Sequence, residues 1–374
     1  MTRVAVDATP TLGARTGIGV AVTGMLRALA TRPELDLVAY GLTFAGRKLL
    51  ASAVPPGVGL PAGGRGRVPM VAGALVRVWD RGDWPPVEWW TGRVDVVHGT
   101  NFVVPPSTRA ARVVSVWDLT ALRFPELCTP AARRYPALVR RAILGGAVAH
   151  TASRAVADEI VELLGAPGDR VRVIPPGIDR LDGPGRHLRS RGLPSRGPPY
   201  VLGLGTVEPR KDFPGLVRAF DLLAGRDPDV ELRIAGPSGW GEADLAKAIS
   251  TARHRDRIMR TGWVADTAAL IAGAAVLAFP SLYEGFGYPP LEAMALGVPG
   301  VATAVGAVPE VVGDAALLVA PGDPDALADA LGRVLTDPAE RDRLVEAGRR
   351  RLERFGWDAA AAALAALYQE LAGG

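Results

Sequence analysis

Two glutamates, Glu284 and Glu292, stand eight positions apart in the segment 281–299, SLYEGFGYPPLEAMALGVP. The segment follows an apolar run that indicates a buried strand, and its paired prolines are typical of a helix start, because proline fits the first helical position. The glycines between them would let a ligand approach the backbone closely. The first turn of the helix presents free N–H groups and the positive end of the helix dipole. The segment therefore predicts a site for an anionic ligand, flanked by two carboxylates.

A second segment, 203–220, reads GLGTVEPRKDFPGLVRAF and leads from a glycine-flanked strand end into a helix through Arg210 and Lys211. Lysine stands only at positions 48, 211 and 247, although the chain has 43 basic residues. When a bond to a phosphate breaks, negative charge grows on the leaving group, and fixed cations aimed there stabilise the transition state more than the ground state. The alternative is a solvated cationic pair that merely precedes the helix.

Together the two segments resemble the retaining glycosyltransferases of family four, which have the GT-B fold. The signature of that family is two glutamates separated by seven residues, and Glu284 and Glu292 reproduce it. The resemblance implies that Glu284 hydrogen-bonds hydroxyls of a donor sugar and that Glu292 holds the ribose hydroxyls of its nucleotide. It also implies that Arg210 and Lys211 bind the diphosphate. Taken singly, Glu284 could instead be a turn residue, and Glu292 could complement the helix dipole.

The same resemblance implies further donor-binding positions around these residues. Backbone groups of Gly285, Phe286 and Gly287 would contact the sugar and the diphosphate. Additional donor-side candidates are Gly205, Thr206, Gly236, Gly262, Trp263, Tyr288 and Leu291.

Glycines also cluster after the first predicted strand, at Gly13, Gly17 and Gly19. A dinucleotide-binding loop would require an acidic residue at the end of the second strand, about 20 residues on. The second strand instead ends in YGL at 40–42. In GT-B enzymes the matching glycine loop lies near the donor phosphates and the acceptor, so Gly17 and Gly19 are donor-side candidates.

Two stretches of the first half, VVHGTNFVVPP and VWDLTALRFPELCTP, resemble mannosyltransferase-like members of the family. The second stretch commonly reads His-Asp in those members, with the histidine near the reacting sugar, but this chain has Trp117 before Asp118. Three outcomes stay open: Trp117 stacks on a sugar face, His98 or Asn101 supplies the missing polar contact, or the acceptor site is remodelled. Trp117 and His98 could equally belong to the core.

Charged residues of the first half have two interpretations each. Asp118 is either a turn residue or a catalytic carboxylate that orients the acceptor, and Arg123 is a further acceptor-side candidate. A cluster of arginines around one amphipathic helix predicts either a solvated face or contact with an anionic membrane surface or a lipid diphosphate acceptor. Its members are Arg133, Arg134, Arg140 and Arg141.

Short apolar runs alternate with longer amphipathic segments along the whole chain, which predicts an α/β fold with parallel sheets. We expect two Rossmann-like doubly wound domains that face each other across a cleft, the arrangement of the GT-B fold, with the function located there. Strands are predicted at 3–7, 37–41, 95–98, 112–117, 147–151, 171–174, 200–204, 231–235, 276–280, 300–303 and 316–319, and first-half helices at 18–30, 130–144 and 154–164.

A segment poor in apolar residues divides the chain. Residues 180–199, RLDGPGRHLRSRGLPSRGPP, cannot bury enough surface to order themselves and therefore predict a linker. We expect an acceptor-side domain at 1–180, the linker proper at 181–199 and a nucleotide-sugar donor domain at 200–356. The final helix, at 357–374, is expected to pack back onto the first domain.

Composition excludes several other classes of protein. At 374 residues, 48% of them hydrophobic, the chain has material for two cores, and disorder is excluded as its main state. The net charge of +4 comes without clustered basic and aromatic residues, so no nucleic-acid partner is expected. The single cysteine, Cys128, excludes an intramolecular disulfide, and the 4 scattered histidines give no zinc-ligand spacing. The N-terminus does not read as a signal peptide, which predicts a cytoplasmic protein, with the inner face of the membrane as one location.

The resemblance to family four implies an enzyme that moves a hexose from a nucleotide diphosphate sugar, for which GDP-mannose is the first choice. A glycan, a lipid-linked molecule or a small molecule would be the acceptor. The nucleotide sugar is a co-substrate, and neither a cofactor nor a metal ion is expected. The alternatives are a noncatalytic protein that binds nucleotide sugars or glycans, and a nucleotide-sugar epimerase of the same fold. A dehydrogenase is a third and poorer alternative.

Overall fold

The computed structural model describes residues 1–12, 17–43, 49–61, 72–179, 197–227 and 229–374. They form two compact units. Unit 1 comprises Met1–Gly177 together with Phe355–Gly374, and unit 2 comprises Ile178–Arg354. Residues 181–196 of the predicted linker lie outside the described residues. Gly13 does so as well.

Within the described residues, unit 1 is built on a six-stranded parallel sheet with the order β2-β1-β3-β4-β5-β6. Its strands are β1 (Thr2–Asp7), β2 (Leu35–Tyr40), β3 (Val96–Gly99), β4 (Ala111–Val116), β5 (Val148–Thr151) and β6 (Val171–Val173). The helices along its first 177 residues are α1 (Gly17–Leu29), α2 (Leu50–Ala53), α3 (Ala72–Trp79), α4 (Glu88–Thr91), α5 (Thr120–Arg123), α6 (Tyr135–Leu144) and α7 (Arg154–Leu164).

Unit 2 repeats this plan with a second six-stranded parallel sheet in its described part, ordered β12-β11-β10-β7-β8-β9. Its strands are β7 (Tyr200–Leu204), β8 (Glu231–Ala235), β9 (Ile258–Gly262), β10 (Val276–Phe279), β11 (Gly300–Thr303) and β12 (Ala316–Val319). Its helices are α8 (Phe213–Ala224), α9 (Glu242–Thr251), α10 (Thr267–Gly273), α11 (Tyr288–Ala295), α12 (Val308–Val312), α13 (Pro324–Thr336) and α14 (Pro338–Leu352).

Both faces of the sheet in unit 2 are covered, because alternate residues of its central strand enter different apolar clusters. Val201 of β7 joins the cluster that contains α8 and α13. Leu202 and Leu204 join a second cluster with residues of α10 and α11. A strand buried on both faces reads as a continuous apolar run, which explains why the predicted strands of this unit coincide closely with β7, β10 and β11. The half-buried edge strand β12 was also predicted, because its sequence, ALLV, is apolar throughout.

Four short helices of unit 1, α2 to α5, were not predicted, and two further differences have a clear physical cause. Sequence reasoning missed β9, which forms the outer edge of its sheet and is only half-buried, so that it carries no apolar run. The helix predicted at 130–144 is divided into a short 3-10 turn, Ala132–Arg134, and α6, because Pro136 starts the α-helix there. The prediction of two doubly wound α/β sheets is confirmed.

The last helix, α15 (Trp357–Gly373), belongs to unit 1. Its buried side chains include Leu364 and Tyr368. Its first residue, Trp357, packs against glycines on two other segments. A Cβ atom at Gly24 would lie 2.0 Å from the indole, and one at Gly177 would lie 2.5 Å from it. Any side chain at either position would therefore displace the tryptophan.

A buried chain of hydrogen bonds joins α15 to three neighbouring strands of unit 1. The Tyr368 hydroxyl lies 2.6 Å from His98 Nδ1, and His98 Nε2 lies 2.8 Å from Ser115 Oγ. Ser115 Oγ lies in turn 2.9 Å from His150 Nδ1, and His150 Nε2 lies 3.0 Å from the carbonyl oxygen of Ile174. Burial lowers the pKa of His98 well below its usual value and that of His150 to about 4, so both imidazoles are neutral.

Because of these two buried neutral histidines, the folded state of unit 1 is predicted to lose stability in acid. A histidine with a lowered pKa contributes stability that is complete above about pH 6.5 and is lost as the pH falls, because only the unfolded chain takes up the proton. Two such groups would cost about 2.7 kcal/mol per pH unit. Asp7 has the opposite effect on stability. Burial raises its pKa to about 6 despite two hydrogen bonds from Thr9, so the stability that it contributes is lost as the pH rises. Between about pH 6 and pH 4.5 the net loss should be about 1.4 kcal/mol per pH unit.

Urea unfolding at a series of pH values measures this dependence. The matched variant is His150→Gln, whose amide can replace the bonds to Ser115 and Ile174 but does not titrate. The difference in slope between the two chains isolates the histidine contribution from all other groups. We expect the variant to lose less stability on acidification, by about 1.4 kcal/mol per pH unit. Parallel pH curves for the two chains would contradict the assignment.

Candidate functional site

Arg210, Lys211 and Glu284 lie on loops that follow neighbouring strands of unit 2. β7 pairs in parallel with β10, with Gly203 opposite Ala278. The carboxyl ends of the two strands therefore meet at one edge of the sheet, which is where ligands bind in open α/β folds. This topology brings together residues that are 73 positions apart in the sequence.

The carboxylate of Glu284 is held between two cations. Arg210 Nη1 lies 2.8 Å from its Oε2 atom, and Lys211 Nζ lies 2.5 Å from its Oε1 atom. The hydroxyl of Ser281 also donates to Oε1, at 2.8 Å. Only 8% of the Glu284 side chain is exposed. Burial alone would raise the pKa of Glu284, but the two cations and the hydrogen bonds hold it at about 2, so the carboxylate is ionised.

Hydrogen bonds to the backbone fix the two loops to each other. The amide of Leu282 donates to the carbonyl oxygen of Arg210 at 2.8 Å, and Arg210 Nη1 donates to that of Tyr283 at 3.0 Å. Asp212, directly after the cations, has a φ of 42° and caps α8 by accepting a hydrogen bond from Gly215 N at 2.9 Å. The cations are therefore presented by a fixed backbone, which electrostatic stabilisation of a transition state requires.

Three of the predicted donor-side glycines bring the ends of β7, β8 and β9 together. Gly236 has a φ of 135°, and a Cβ atom there would lie 1.9 Å from the carbonyl oxygen of Gly205. The Gly236 amide donates to the carbonyl oxygen of Gly262 at 2.8 Å. A Cβ atom at Gly205 would also meet the side chain of Lys211, at 3.4 Å. These glycines keep the edge of the sheet open beside Lys211, and Thr206 and Trp263 follow at its surface.

Glu292 and Tyr288 lie on α11, whose N-cap residue, Gly287, has a φ of 110°. Glu292 is partly buried, which raises its pKa, and its carboxylate has no hydrogen bond or ion pair with any residue that the structure describes. The Tyr288 hydroxyl is likewise buried without a hydrogen-bond partner in the described part of the chain. Buried polar groups are nearly always hydrogen-bonded in a functional state, so both side chains are suited to a polar ligand.

The remaining donor-side predictions differ in their accessibility. The side chains of Leu291 and Phe286 are buried, so these residues would contact a ligand through their backbone groups. Gly285 lies between Glu284 and Phe286 on the same loop. In unit 1, Gly17 and Gly19 are part of α1, where Gly17 is exposed and Gly19 is buried, and residues 13–16 before them are not among the described residues.

On the acceptor side, the structure favours the core alternative for two residues. His98 is fully buried, and Tyr368 and Ser115 occupy both of its ring nitrogens. Trp117 is also buried, and its indole donates to the carbonyl oxygen of Thr100 at 2.8 Å. An imidazole with both nitrogens engaged has no hydrogen-bonding capacity left for a sugar.

The other acceptor-side candidates are distributed between turns and the surface. Asp118 Oδ1 accepts a hydrogen bond from Thr120 N at 2.9 Å, as a turn residue does. Asn101 Oδ1 is buried and has no hydrogen-bond partner among the described residues, so it could accept one from a ligand. Arg123 forms ion pairs with Glu159 and Glu162 of α7. Those pairs explain Arg123 as a surface residue that ties α5 to α7.

The arginine cluster does not form one uniform surface. Arg133, Arg134 and Arg140 are exposed, whereas Arg141 is half-buried and forms an ion pair with Asp83 at 3.0 Å. Within the described ranges, no helix has the length and hydrophobicity to span a membrane. Nor do the described residues include a group of three or more His, Cys, Asp or Glu side chains that could hold a metal ion.

Sequence reasoning missed two residues that position Glu284. The first is Ser281, which donates to its carboxylate. The second is Gly306, which has a φ of 48° and where a Cβ atom would lie 2.2 Å from the Glu284 carbonyl oxygen. The adjacent amide of Ala307 donates to that same oxygen at 2.9 Å. The glycine in the loop after β11 was a signal for this close approach.

Comparison with protein families identifies both halves of the chain. Residues 15–180 match the model of Glycosyltransferase Family 4, and residues 187–351 match that of Glycosyl transferases group 1. O-antigen chain mannosyltransferase B of Escherichia coli is 32% identical over 70% of this chain and 71% of its own length. The MMP alpha-(1->4)-mannosyltransferase of Mycolicibacterium hassiacum is 36% identical over 59% of this chain and 53% of its own length.

Comparison with solved structures covers nearly the whole chain. The HepE protein of Anabaena, solved in complex with UDP-glucose, matches with a TM-score of 0.74 at 18% identity, over 99% of this chain and all of that one. At that identity the likeness concerns the fold alone. The 32% identity to a mannosyltransferase over most of both chains and the two family matches show the family, while the two parallel sheets and the structural likeness show the fold. This chain therefore belongs to glycosyltransferase family four and has the GT-B fold.

Proposed function

We propose that this glycosyltransferase moves a mannosyl residue from GDP-mannose to a hydroxyl group of a glycan or lipid-linked acceptor, with retention of the anomeric configuration and without a metal ion. The observation that carries the proposal is the pair of cations, Arg210 and Lys211, on the ionised carboxylate of Glu284. Cations and acid meet at the sheet edge where a nucleotide diphosphate sugar would place its phosphates and its sugar.

The cations supply the charge that such a reaction needs. In the absence of donor they neutralise Glu284, and a diphosphate placed beside them would share them. When the glycosidic bond breaks, its electron pair passes to the phosphate oxygen, and the growing negative charge there is stabilised by Arg210 and Lys211. Glu284 remains ionised and accepts hydrogen bonds from hydroxyls of the donor sugar.

Glu292 supplies the second recognition element. Glu292 is partly buried and its carboxylate has no hydrogen-bond or ion-pair partner among the described side chains, so it can accept hydrogen bonds from hydroxyl groups of a ligand. The ribose of a nucleotide presents two adjacent hydroxyls of the required kind. The buried hydroxyl of Tyr288, on the first turn of the same helix, is available to the same ligand.

We propose retention from the family resemblance, and the state of Glu284 argues against a covalent glycosyl-enzyme intermediate on its carboxylate. A nucleophile needs a free oxygen, but both Glu284 oxygens are engaged by cations or a hydroxyl. We therefore assign attack to the acceptor oxygen itself, on the face from which the phosphate leaves. The new bond forms between that oxygen and the anomeric carbon, and the acceptor proton passes to the departing phosphate oxygen.

The choice of mannose is supported by the names of two relatives, which are mannosyltransferases, whereas other relatives are named D-inositol 3-phosphate glycosyltransferases. GDP is proposed as its nucleotide. The E. coli relative acts on an O-antigen chain by its name, which favours a glycan acceptor here. The Anabaena neighbour holds UDP-glucose, and so UDP-sugars are the competing donor class.

Thermal shift measurements with GDP, UDP, dTDP and their sugars test the proposal. A ligand at 100 times its dissociation constant stabilises the folded state by about 2.7 kcal/mol. We expect the largest shift with GDP and GDP-mannose, unchanged by EDTA, and an α-linked product by proton NMR. A shift with none of the nucleotides would contradict the site. A β-linked product would contradict retention, and conversion of the donor sugar without acceptor would favour an epimerase.

A further inference from the structure

Three buried oxygen atoms lie without hydrogen-bond partners along one edge of the sheet in unit 1. They are Oδ1 of Asn101 and the hydroxyl oxygens of Thr120 and Thr151, and none of them has a partner among the described residues. Asn101 follows β3, Thr120 follows β4, and Thr151 ends β5. These strands are neighbours, so the three groups share the carboxyl edge of the sheet, where open α/β folds bind ligands. Because buried polar groups are nearly always hydrogen-bonded, this edge is suited to a polar ligand.

Contacts of Trp117 join the segments that carry these three groups. Its indole donates at 2.8 Å to the carbonyl oxygen that directly precedes Asn101. Its ring lies edge-on to that of His150, directly before Thr151, with centroids 6.1 Å apart. Trp117 itself stands three positions before Thr120. The ends of β3, β4 and β5 are therefore fixed to one another.

The loop that carries Asn101 has a strained backbone that its neighbours hold in place. Phe102, the next residue, has a φ of 59°, which is rare for a bulky side chain. Its amide donates to the Ser115 carbonyl oxygen at 2.9 Å, and its ring stacks on Tyr135 with centroids 5.3 Å apart. Earlier in the loop, a Cβ atom at Gly99 would lie 1.9 Å from a carbonyl oxygen four residues on. Strain that is held in this way clusters at ligand sites, and here it fixes the position of the Asn101 side chain.

The charges at this edge disfavour a phosphate. β1, the neighbour of β3, ends in the buried carboxylate of Asp7, and Asp118 follows β4. Arg123, which also follows β4, is neutralised by two glutamates of α7. Arg154 is exposed at the start of α7. A ligand without charge avoids the repulsion of the two aspartates, and it can form hydrogen bonds with amide and hydroxyl groups.

We propose that this edge of unit 1 is an acceptor subsite for an uncharged sugar ring, and that Asn101 hydrogen-bonds the hydroxyl groups of that ring. The inference rests on the proposed transfer and names its acceptor class, which is the end of a neutral glycan. The Asn101 carboxamide offers both an oxygen acceptor and an N–H donor, and a sugar hydroxyl can use both. Asn101 is half-buried, so a ligand can reach it, whereas Thr120 and Thr151 lie deeper and would act through ordered water. Asparagine occurs nowhere else in the 374 residues.

Saturation-transfer NMR titrations of the full chain with the methyl glycosides of mannose, glucose and galactose test the proposal without donor or turnover. We expect at least one of them to bind, and we expect mannose 6-phosphate to bind no more tightly than methyl mannoside. Asn101→Ala should weaken the binding about tenfold, because it removes two hydrogen bonds to the sugar. Asn101→Asp keeps the oxygen acceptor and loses the N–H donor, so its affinity should be intermediate. In transfer assays both variants should raise the KM for a glycan acceptor and leave the thermal shift with GDP unchanged.

The matched control is Gln369→Ala, which removes an exposed carboxamide of the same unit and should bind the methyl glycosides as the unmodified chain does. Because the Asn101 oxygen has no partner among the described residues, Asn101→Ala should unfold at the same urea concentration as the unmodified chain. A lower urea midpoint would give Asn101 a structural role and overturn the proposal.

Three binding results would overturn it as well. They are no binding of any of the three methyl glycosides, equal binding by Asn101→Ala, and binding of mannose 6-phosphate that is at least about tenfold tighter than that of methyl mannoside. The thermal shift with GDP, measured on the same samples, reports on the proposed donor site in unit 2. Failure of the acceptor subsite can therefore be told from failure of the proposed function.

Discussion

A Lys211→Ala enzyme should transfer sugar at least about a hundredfold more slowly than the unmodified enzyme, because it lacks one of the two fixed cations on which the leaving phosphate depends. The same variant should lose most of the thermal shift that GDP produces. Lys211 is held by Glu284 and lies 4.8 Å from the centre of the Phe279 ring, so its charge is fixed in position before any ligand arrives. Initial rates at saturating donor, together with thermal shifts, measure both effects.

Two further variants test whether the effect depends on the position of the Lys211 charge or only on the loss of any lysine. Lys247→Ala removes an exposed lysine of the same unit and should leave rate and shift unchanged. Lys211→Arg keeps the charge but replaces a compact ammonium with a planar fork, so an intermediate rate is expected. If the alanine variants at 211 and 247 behaved alike, Lys211 would have no part in the reaction.

Glu284→Gln should abolish transfer while leaving nucleotide binding intact. The variant leaves two cations in a buried place without their counter-charge, and breaking a buried ion pair in this way typically destabilises a fold by about 3 to 5 kcal/mol. A diphosphate brings back the missing negative charge. We therefore expect GDP to stabilise the glutamine variant by more than it stabilises the unmodified chain, although the rate falls at least about a hundredfold.

The contrast between the two variants is the decisive measurement. Lys211→Ala should lose most of the thermal shift with GDP, and Glu284→Gln should show a larger shift, although the two side chains contact each other. Glu208→Gln is the control for charge, since the Glu208 carboxylate lies 3.4 Å from Arg210 Nη2, whereas Glu208 meets Lys211 through a backbone hydrogen bond that the substitution keeps. A glutamine variant at 284 that is as stable as the unmodified chain, or that loses its response to GDP, would contradict the roles assigned here.

Much of the fold could be predicted from the sequence because most of the strands are buried on both faces. Such strands appear as short apolar runs bounded by glycine, proline and polar residues, as β7 and β10 do. The edge strand β9 could not be found in this way, since half of its surface meets solvent and its sequence alternates little. The apolar pattern in the sequence indicates that a segment is buried, and not that it forms a strand.

The candidate site was predictable only in part. The types and spacing of Glu284 and Glu292 indicated the chemistry, but nothing in the sequence pairs Arg210 with a carboxylate 74 positions away. His98 shows the converse: a histidine near a predicted strand end suggested a sugar contact, yet its partner is Tyr368, 270 positions later. Long-range pairs of polar side chains are set by tertiary packing, for which a single sequence has no periodic signal.

Because α15 belongs to unit 1, that unit cannot be completed when its first 177 residues have left the ribosome. Until residues 355–374 are synthesised, the surface at Gly24 and Gly177 on which Trp357 packs is uncovered, and His98 lacks its hydrogen bond with the Tyr368 hydroxyl. Unit 2, which is encoded between the two parts, has all of its strands before then. The nascent chain therefore holds an unfinished N-terminal unit throughout the translation of the other, with exposed apolar surface of the kind that makes folding intermediates prone to aggregation.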